Sequence, residues 1–227
     1  MGSRITLTFQ TGHNPVKITP IYHASLLMEE GNKAIFIDPA QPGNFLGLPP
    51  ADLILITDIH KGHMDPGSIA KIGTTGTEII APPAVVKAIT RAHPLANGEI
   101  TTMFGWNIAA VPMYNIKRGP APGQLYHPKG RGNGYVLTYG GVSFYISGDT
   151  ENIPEMRALK GIDVAFVCMG LPCTMPPAEA ADAVKAFHPT VVFPYDYRGS
   201  DPAVFARDLK GTGITVRLLD WYPTSSY

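Results

Sequence analysis

The stretch Asp52-Leu-Ile-Leu-Ile-Thr-Asp-Ile-His-Lys-Gly-His-Met-Asp-Pro66 decides the fold. Leu53 to Ile56 is unbroken by any polar residue, a pattern that suits a strand covered on both faces. Immediately behind it come Asp58, His60, His63 and Asp65. A buried strand that runs into carboxylates and imidazoles carries those side chains to its C-terminal edge. Pro66 then fits the first position of a helix, where its missing N–H costs nothing.

Working outward, Ile5 to Phe9, Lys17 to Leu27 and Lys33 to Asp38 alternate or run apolar with β-branched residues, and Gly31-Asn32 fits a hairpin turn between the last two. Downstream, Ile69, Ala70 and Ile72 lie on a helix, Glu78 to Ala81 reads as a strand, and Pro83 to Ala92 reads as a second helix. Ile108 to Met113 is a strand. A loop from Tyr114 to Asn133, rich in Gly, Pro and basic residues, follows it, and loops of that length inside a domain are usually functional. Tyr135 to Tyr139 and Val142 to Ser147 form a hairpin across Gly140-Gly141 that ends in Gly148-Asp149-Thr150. Ile162 to Val167, a helix from Ala178 to Phe187, and strands at Val191 to Tyr195 and Thr215 to Leu219 complete the chain. Alternating β and α elements beside hairpins indicate an α/β (α+β) fold.

Composition narrows the function. The 227 residues carry 18 Lys+Arg against 18 Asp+Glu, so the formal net charge is zero, which excludes a basic nucleic-acid coat and an acidic tail. Apolar residues at 44% supply a sizeable core, and we expect one domain over residues 1–227. The 24 glycines and 22 prolines, about a fifth of the chain, show no repeat period, so they mark many sharp loops rather than a collagen-like array. Cys168 and Cys173 stand without a second pair and make neither a disulfide framework nor a thiolate zinc site. No apolar run is long enough to span a membrane, and the N-terminus lacks the shape of a signal peptide. A cytoplasmic location is favoured, and a periplasmic one if a native leader was trimmed, since Met1-Gly2-Ser3 reads as a cloning remnant. Self-association is left open.

Candidate ligands for a metal collect at strand ends and in loops: Asp58, His60 and His63; His127; Asp149; and Asp196. Nitrogen and carboxylate donors gathered from separated segments suit a divalent ion, zinc before manganese or iron. A lone His-x-x-His carries little weight. One that directly follows a fully apolar strand, with Asp149 closing another strand, carries more.

These pieces resemble the metallo-β-lactamase-fold hydrolases, in particular the branch with the ascorbate-phosphate lactonase-like proteins. The matching segments are Tyr22-His-Ala-Ser25, Ile37-Asp-Pro39, Thr57 to Pro66, Ser147-Gly-Asp-Thr150 and Pro194-Tyr-Asp-Tyr-Arg198, so the likeness covers nearly the whole chain. It implies a four-layer αββα sandwich with one or two divalent ions at one edge. The family's His-x-His-x-Asp-His motif falls on Asp58 to His63 with two departures: Asp58 for the first histidine and Gly62 for the aspartate. Asp196 in place of the last histidine is a third. Carried over position by position, Asp58, His60 and His127 would hold the first ion. Asp149 would bridge to a second held by His63 and Asp196, with Asp149, His60 and His63 nearest the chemistry. Asn115 competes with His127 for its position but lacks an imidazole. Gly62 removes a ligand from the second site, so one tightly held ion is expected.

Around this set, His23 is either a group that orients a ligand or a strand histidine satisfied by backbone, and Asp65 either orients His63 or caps the helix at Pro66. Lys129 and Arg131, with Arg118 nearby, would face an anionic substrate group or else sit in a solvated loop. Arg198 would pair with Asp196 or with a substrate carboxylate. Lys129 to Gly134 lacks the Gly-Lys-Ser/Thr end of a phosphate-binding P-loop. Trp221-Tyr222 reads as core or as an interface patch. A thiol of Cys168 or Cys173 near the metal edge competes with two reduced, partly buried cysteines, the simpler account.

The reading that results is a metal-dependent hydrolase of a small ester, lactone, amide or phosphoester. Its alternative is a degenerate or engineered relative, altered at Lys61, Gly62 and Asp196, that binds metal and a ligand or partner with little turnover.

Overall fold

The computed structural model describes residues 4–222, so the Met1–Ser3 opening lies outside them. The chain divides into two compact units: residues up to Leu95 together with the chain end from Asp220, and Ala96–Leu219.

The first unit contains β1 (Leu7–Phe9), β2 (Val16–Tyr22), β3 (Ser25–Glu30), β4 (Lys33–Ile37), β5 (Leu53–Leu55), α1 (Pro66–Ile72), β6 (Glu78–Ala81), α2 (Pro83–Val86) and β7 (His93–Pro94). They form one seven-stranded sheet in chain order. Strands β1 to β4 are antiparallel neighbours, as short turns dictate, whereas β4 to β7 run parallel because crossovers return the chain each time. In β5, Ile54 lies opposite Phe36 of β4 and Ile79 of β6. Those three side chains share a core with Ile69 and Ile72 of α1. Leu53 to Ile56 are all fully buried, as the unbroken apolar run requires.

The second unit contains β8 (Ile100–Met103), β9 (Trp106–Met113), β10 (Gly132–Tyr139), β11 (Val142–Ile146), α3 (Pro154–Arg157), β12 (Val164–Cys168), α4 (Pro177–Phe187), β13 (Val191–Tyr195), α5 (Pro202–Asp208) and β14 (Thr215–Val216). Its sheet again has seven strands. Strands β8 to β11 are antiparallel and β11 to β14 parallel, so the plan of the first unit is repeated. Strands β12 and β13 are buried nearly throughout, with Phe166 stacked on Phe193 at 5.0 Å between ring centroids.

Several elements differ from the sequence expectation. The run from Lys17 to Leu27 breaks into β2 and β3 at a tight turn where His23 adopts a left-handed φ of 55°. The second helix stops at Val86 rather than Ala92. Helix α5 escapes a periodicity reading because Phe205 is its one buried residue, although Asp201-Pro202 repeats the cap-and-proline start of Asp65-Pro66. Trp221 is fully buried, and its carbonyl accepts the His23 N–H at 3.1 Å, so it serves the core.

Among the described residues, no helix is long and apolar enough to cross a membrane. Because Ile54 is packed on both sides, Ile54→Ala should cost about 2–5 kcal/mol in denaturant unfolding. A loss well below about 1 kcal/mol would contradict the packing described for β5.

Candidate metal centre

In the first unit the candidate ligands follow β5 in a tight turn in which the N–H groups of His63 and Met64 both donate to the His60 carbonyl, at 2.9 and 3.0 Å. Asp58 is fully buried, and one of its carboxylate oxygens lies 3.2 Å from Nδ1 of the more exposed His60. His63 is buried and turns its Nδ1 to Asp38 Oδ2 at 2.8 Å and to Thr57 Oγ1 at 3.0 Å. Thr57 in turn donates its N–H to Asp38 Oδ1 at 2.7 Å and its hydroxyl to Asp38 Oδ2 at 2.6 Å. Burial pushes the Asp38 carboxyl above the usual carboxylate range, while His63 and Thr57 pull the other way. An imidazole with Nδ1 against a buried carboxylate is oriented in the way that metal-binding histidines are.

Asp38 stands just after β4 with a left-handed φ of 46°. Ser25, from the Tyr22-His-Ala-Ser segment, fixes that bend: its hydroxyl donates to the Asp38 carbonyl and accepts from Ala40 N–H. Asp38 and Thr57 were not singled out as functional residues in the sequence. The available signal was that Asp38, like Asp58, is a polar residue closing an apolar strand.

In the second unit the long loop after β9 returns His127 to a fully buried position. Asn115 holds it there. Its side-chain oxygen accepts from His127 N at 2.8 Å and lies 2.7 Å from His127 Nδ1, while Asn115 N donates to the His127 carbonyl at 2.8 Å. The opposite nitrogen, Nε2, is 3.1 Å from Asp149 Oδ2. Asn115 is thus the brace of His127, a role that its place two residues after β9 did not reveal. Asp149 follows β11 at Gly148, whose N–H donates to the Tyr195 hydroxyl at 2.9 Å. Asp196 follows β13 with a left-handed φ of 44° and is almost fully buried. Gly170 makes room for it, because a Cβ there would meet the Asp196 carbonyl oxygen at 2.9 Å.

The remaining candidates separate. Asp65 caps α1, accepting from both Ser68 N and Ser68 Oγ at 2.7 Å, and these bonds hold its carboxyl below the usual range. Lys129 pairs with Glu155 and sits over the Tyr114 ring at 4.8 Å. Arg131 is half-buried and Arg198 is exposed. Cys168 is buried, and desolvation pushes its thiol up to about 12, with the charges of Asp149 and Asp196 adding to the effect. It therefore stays protonated at neutral pH, and both cysteines are free thiols. His23 places Nδ1 2.7 Å from the Tyr222 hydroxyl.

Buried imidazoles whose Nδ1 is tied to an oxygen, with carboxylates at the neighbouring strand ends, form a donor chemistry that fits a divalent cation. Comparison with known proteins points the same way. Residues 17–196 match the family model described as the β-lactamase superfamily domain. A UPF0173 metal-dependent hydrolase of Thermococcus onnurineus is 33% identical, over 85% of this chain and 91% of its own. A crystal structure of a candidate metal-dependent hydrolase from Parabacteroides distasonis is 39% identical, with a TM-score of 0.89 over 95% of this chain and 98% of its own. The metallo-β-lactamase-fold protein YhfI of Bacillus subtilis, at 12% identity, shares the fold alone, with a TM-score of 0.72 over 91% of this chain and 96% of its own.

Arg118 grips both carboxylate oxygens of Glu179 at 2.9 Å and also lies 3.3 Å from Glu151. Its charge is thereby committed within the protein rather than offered to an anion. The Arg118 hydrogen bonds hold the Glu179 carboxyl below its ordinary range. A depressed acid stabilises the fold above its unfolded pKa and loses that contribution as pH falls through the folded one. Arg118→Ala should therefore lower stability by about 1 kcal/mol at neutral pH and by almost nothing near about pH 3. A loss that stays constant between those pH values would refute the pairing.

Proposed function

The chain belongs to the β-lactamase superfamily, and from that premise we propose that it is a metal-dependent hydrolase acting on a small ester, lactone, amide or phosphoester. The observation that carries this reading is the pair of buried histidines, His63 on Asp38 and His127 on Asn115, each with Nδ1 held against an oxygen as in metal-binding imidazoles. In this proposal Asp58, His60 and His127 hold one ion, His63 and Asp196 hold a second, and Asp149 is shared. Residues 1–227 work as one functional domain.

A divalent ion supplies two things when bound: it brings the pKa of a coordinated water down to about 7, and it polarises the oxygen of the bond to be broken. The protein's own residues do the rest. Asp149, 3.1 Å from His127 Nε2, would orient the attacking water. His60 and His63 set the direction of attack, and the Asp38 and Asn115 braces keep the donors from rotating. Imidazoles suit zinc, while the extra carboxylates at positions 58 and 196 extend the range to manganese or iron. Arg131 and Arg198 are the cations proposed to meet an anionic substrate group, and Lys129 contributes a charge shared with Glu155.

A second reading, a relative that binds without turnover, is favoured by Gly62, where the motif's aspartate is missing. Metal analysis of the purified protein, followed by a screen of lactones, esters and phosphodiesters, separates the two. The hydrolase reading expects at least one ion per chain and turnover that falls by about a hundredfold or more in both Asp149→Ala and His60→Ala. Turnover equal to wild type in both variants sinks it. A metal-loaded protein inert across the panel but shifted in melting temperature by an anionic ligand supports the binder.

The Asp38 brace gives an independent test. Asp38→Ala should weaken metal affinity by about ten- to a hundredfold. An unchanged affinity in calorimetric titration would remove Asp38 from the centre.

A further inference from the structure

Glu151 is a buried carboxylate outside the proposed ligand set, and it follows Asp149 by two residues. Its backbone N–H donates to the Tyr114 carbonyl at 3.0 Å, and the Thr150 hydroxyl lies 3.2 Å from both the N–H and the carbonyl of Tyr114. These bonds lock the segment Asp149-Thr-Glu151 against the start of the loop that carries His127. The Glu151 carboxylate then receives donors from that same loop. Oε1 accepts from Arg118 N at 2.7 Å, from Asn115 Nδ2 at 3.1 Å and from Lys117 N at 3.4 Å, and Oε2 lies 3.3 Å from the Arg118 guanidinium.

Asn115 is the link between Glu151 and His127. A side-chain amide has two N–H donors and two acceptor lone pairs, and here all are engaged. Nδ2 donates to Glu151 Oε1 at 3.1 Å and to the Cys173 carbonyl at 2.8 Å. Oδ1 accepts from His127 N at 2.8 Å and lies 2.7 Å from His127 Nδ1. A rotated amide would set its carbonyl against the Glu151 carboxylate and the Cys173 carbonyl, and its NH2 against the His127 N–H. Acceptors would face acceptors and donors a donor in a fully buried place, so one orientation stands. With Oδ1 facing the ring, the proton between them belongs to His127 Nδ1.

We propose that Glu151 is a positioning residue for His127: by holding the Asn115 amide in one orientation it makes Asn115 Oδ1 the acceptor of the His127 Nδ1–H, and so fixes the tautomer and the direction of the ring. The role in a metal centre rests on the reading of His127 as a ligand given above. A carboxylate or carbonyl behind a ligand imidazole can only accept, whereas an amide could present either end. Glu151 removes that choice. Because Asp149 and Glu151 share one segment, the same stretch of backbone places Asp149 and, through Asn115, the imidazole whose Nε2 is 3.1 Å from it. The Arg118 guanidinium is gripped by both oxygens of Glu179, so what the relay needs at position 151 is an acceptor rather than a charge.

Two measurements on the full chain test this: the imidazole 1H–15N spectrum of metal-free protein, and cobalt(II) affinity by titration. Wild type should show a persistent Nδ1–H cross-peak for His127. Glu151→Ala should lose that cross-peak and bind cobalt about tenfold or more weakly. Glu151→Gln, which keeps an acceptor, should retain the cross-peak and stay within about threefold of wild type in affinity. Arg118→Ala, which breaks the ion pair but keeps the main-chain donor, should retain the cross-peak as well. A purely structural role for the buried charge makes the opposite forecast, with Glu151→Gln and Arg118→Ala as damaged as Glu151→Ala. That pattern, or a Glu151→Ala protein equal to wild type in both measurements, overturns the proposal. A wild type that binds no cobalt overturns the metal-centre reading instead, and the metal-free spectra still decide whether Glu151 sets the His127 tautomer. If Glu151→Ala does not fold, Glu151→Gln decides alone: a retained cross-peak supports the relay and a lost one overturns it.

Discussion

A single buried carboxylate, Asp38, organises the candidate ligands of the first unit. It accepts from the backbone and the hydroxyl of Thr57 and faces His63 Nδ1, so it ties the end of β4 to the end of β5 and to the turn behind it. An ionisable group taken fully out of water is tolerated when its oxygens are satisfied, and here three donors converge on two oxygens. Without that convergence the apolar strand Leu53–Leu55 would still form, but the turn carrying His60 and His63 would have no fixed direction.

The two units reach their functional residues by the same route. Each begins with four antiparallel strands and continues with parallel ones, and each places a carboxylate where the antiparallel part gives way to the parallel part: Asp38 after β4 and Asp149 after β11. Open sheets with parallel strands gather polar groups beyond the carboxyl ends of those strands, where the chain must leave the sheet. Asp58 after β5 and Asp196 after β13 obey the same rule.

Most of this was legible in the chain. An apolar run flanked by turn residues marks a buried strand whatever its partners, so β5, β12 and β13 declared themselves, as did the polar residues that follow them. Asp65 before Pro66 left capping as one of two readings, and the cap is the one that forms. What stayed hidden depends on contacts between distant segments. Nothing in Val111-Pro-Met-Tyr-Asn115 says that the asparagine oxygen will hold a histidine twelve residues on, and nothing in Tyr22-His23 says that the ring will fill the space beside Gly62. Short helices with one buried residue, such as α5, give too few apolar positions for a period to emerge.

His23, Asp38 and Asp196 all hold left-handed backbone conformations that glycine would adopt without strain. Each of these positions therefore sets local backbone ease against the side chain it presents. Selection for thermal tolerance alone would drift toward glycine there, so the persistence of a side chain at those bends in sequences of this lineage would be a record of selection for chemistry rather than for folding.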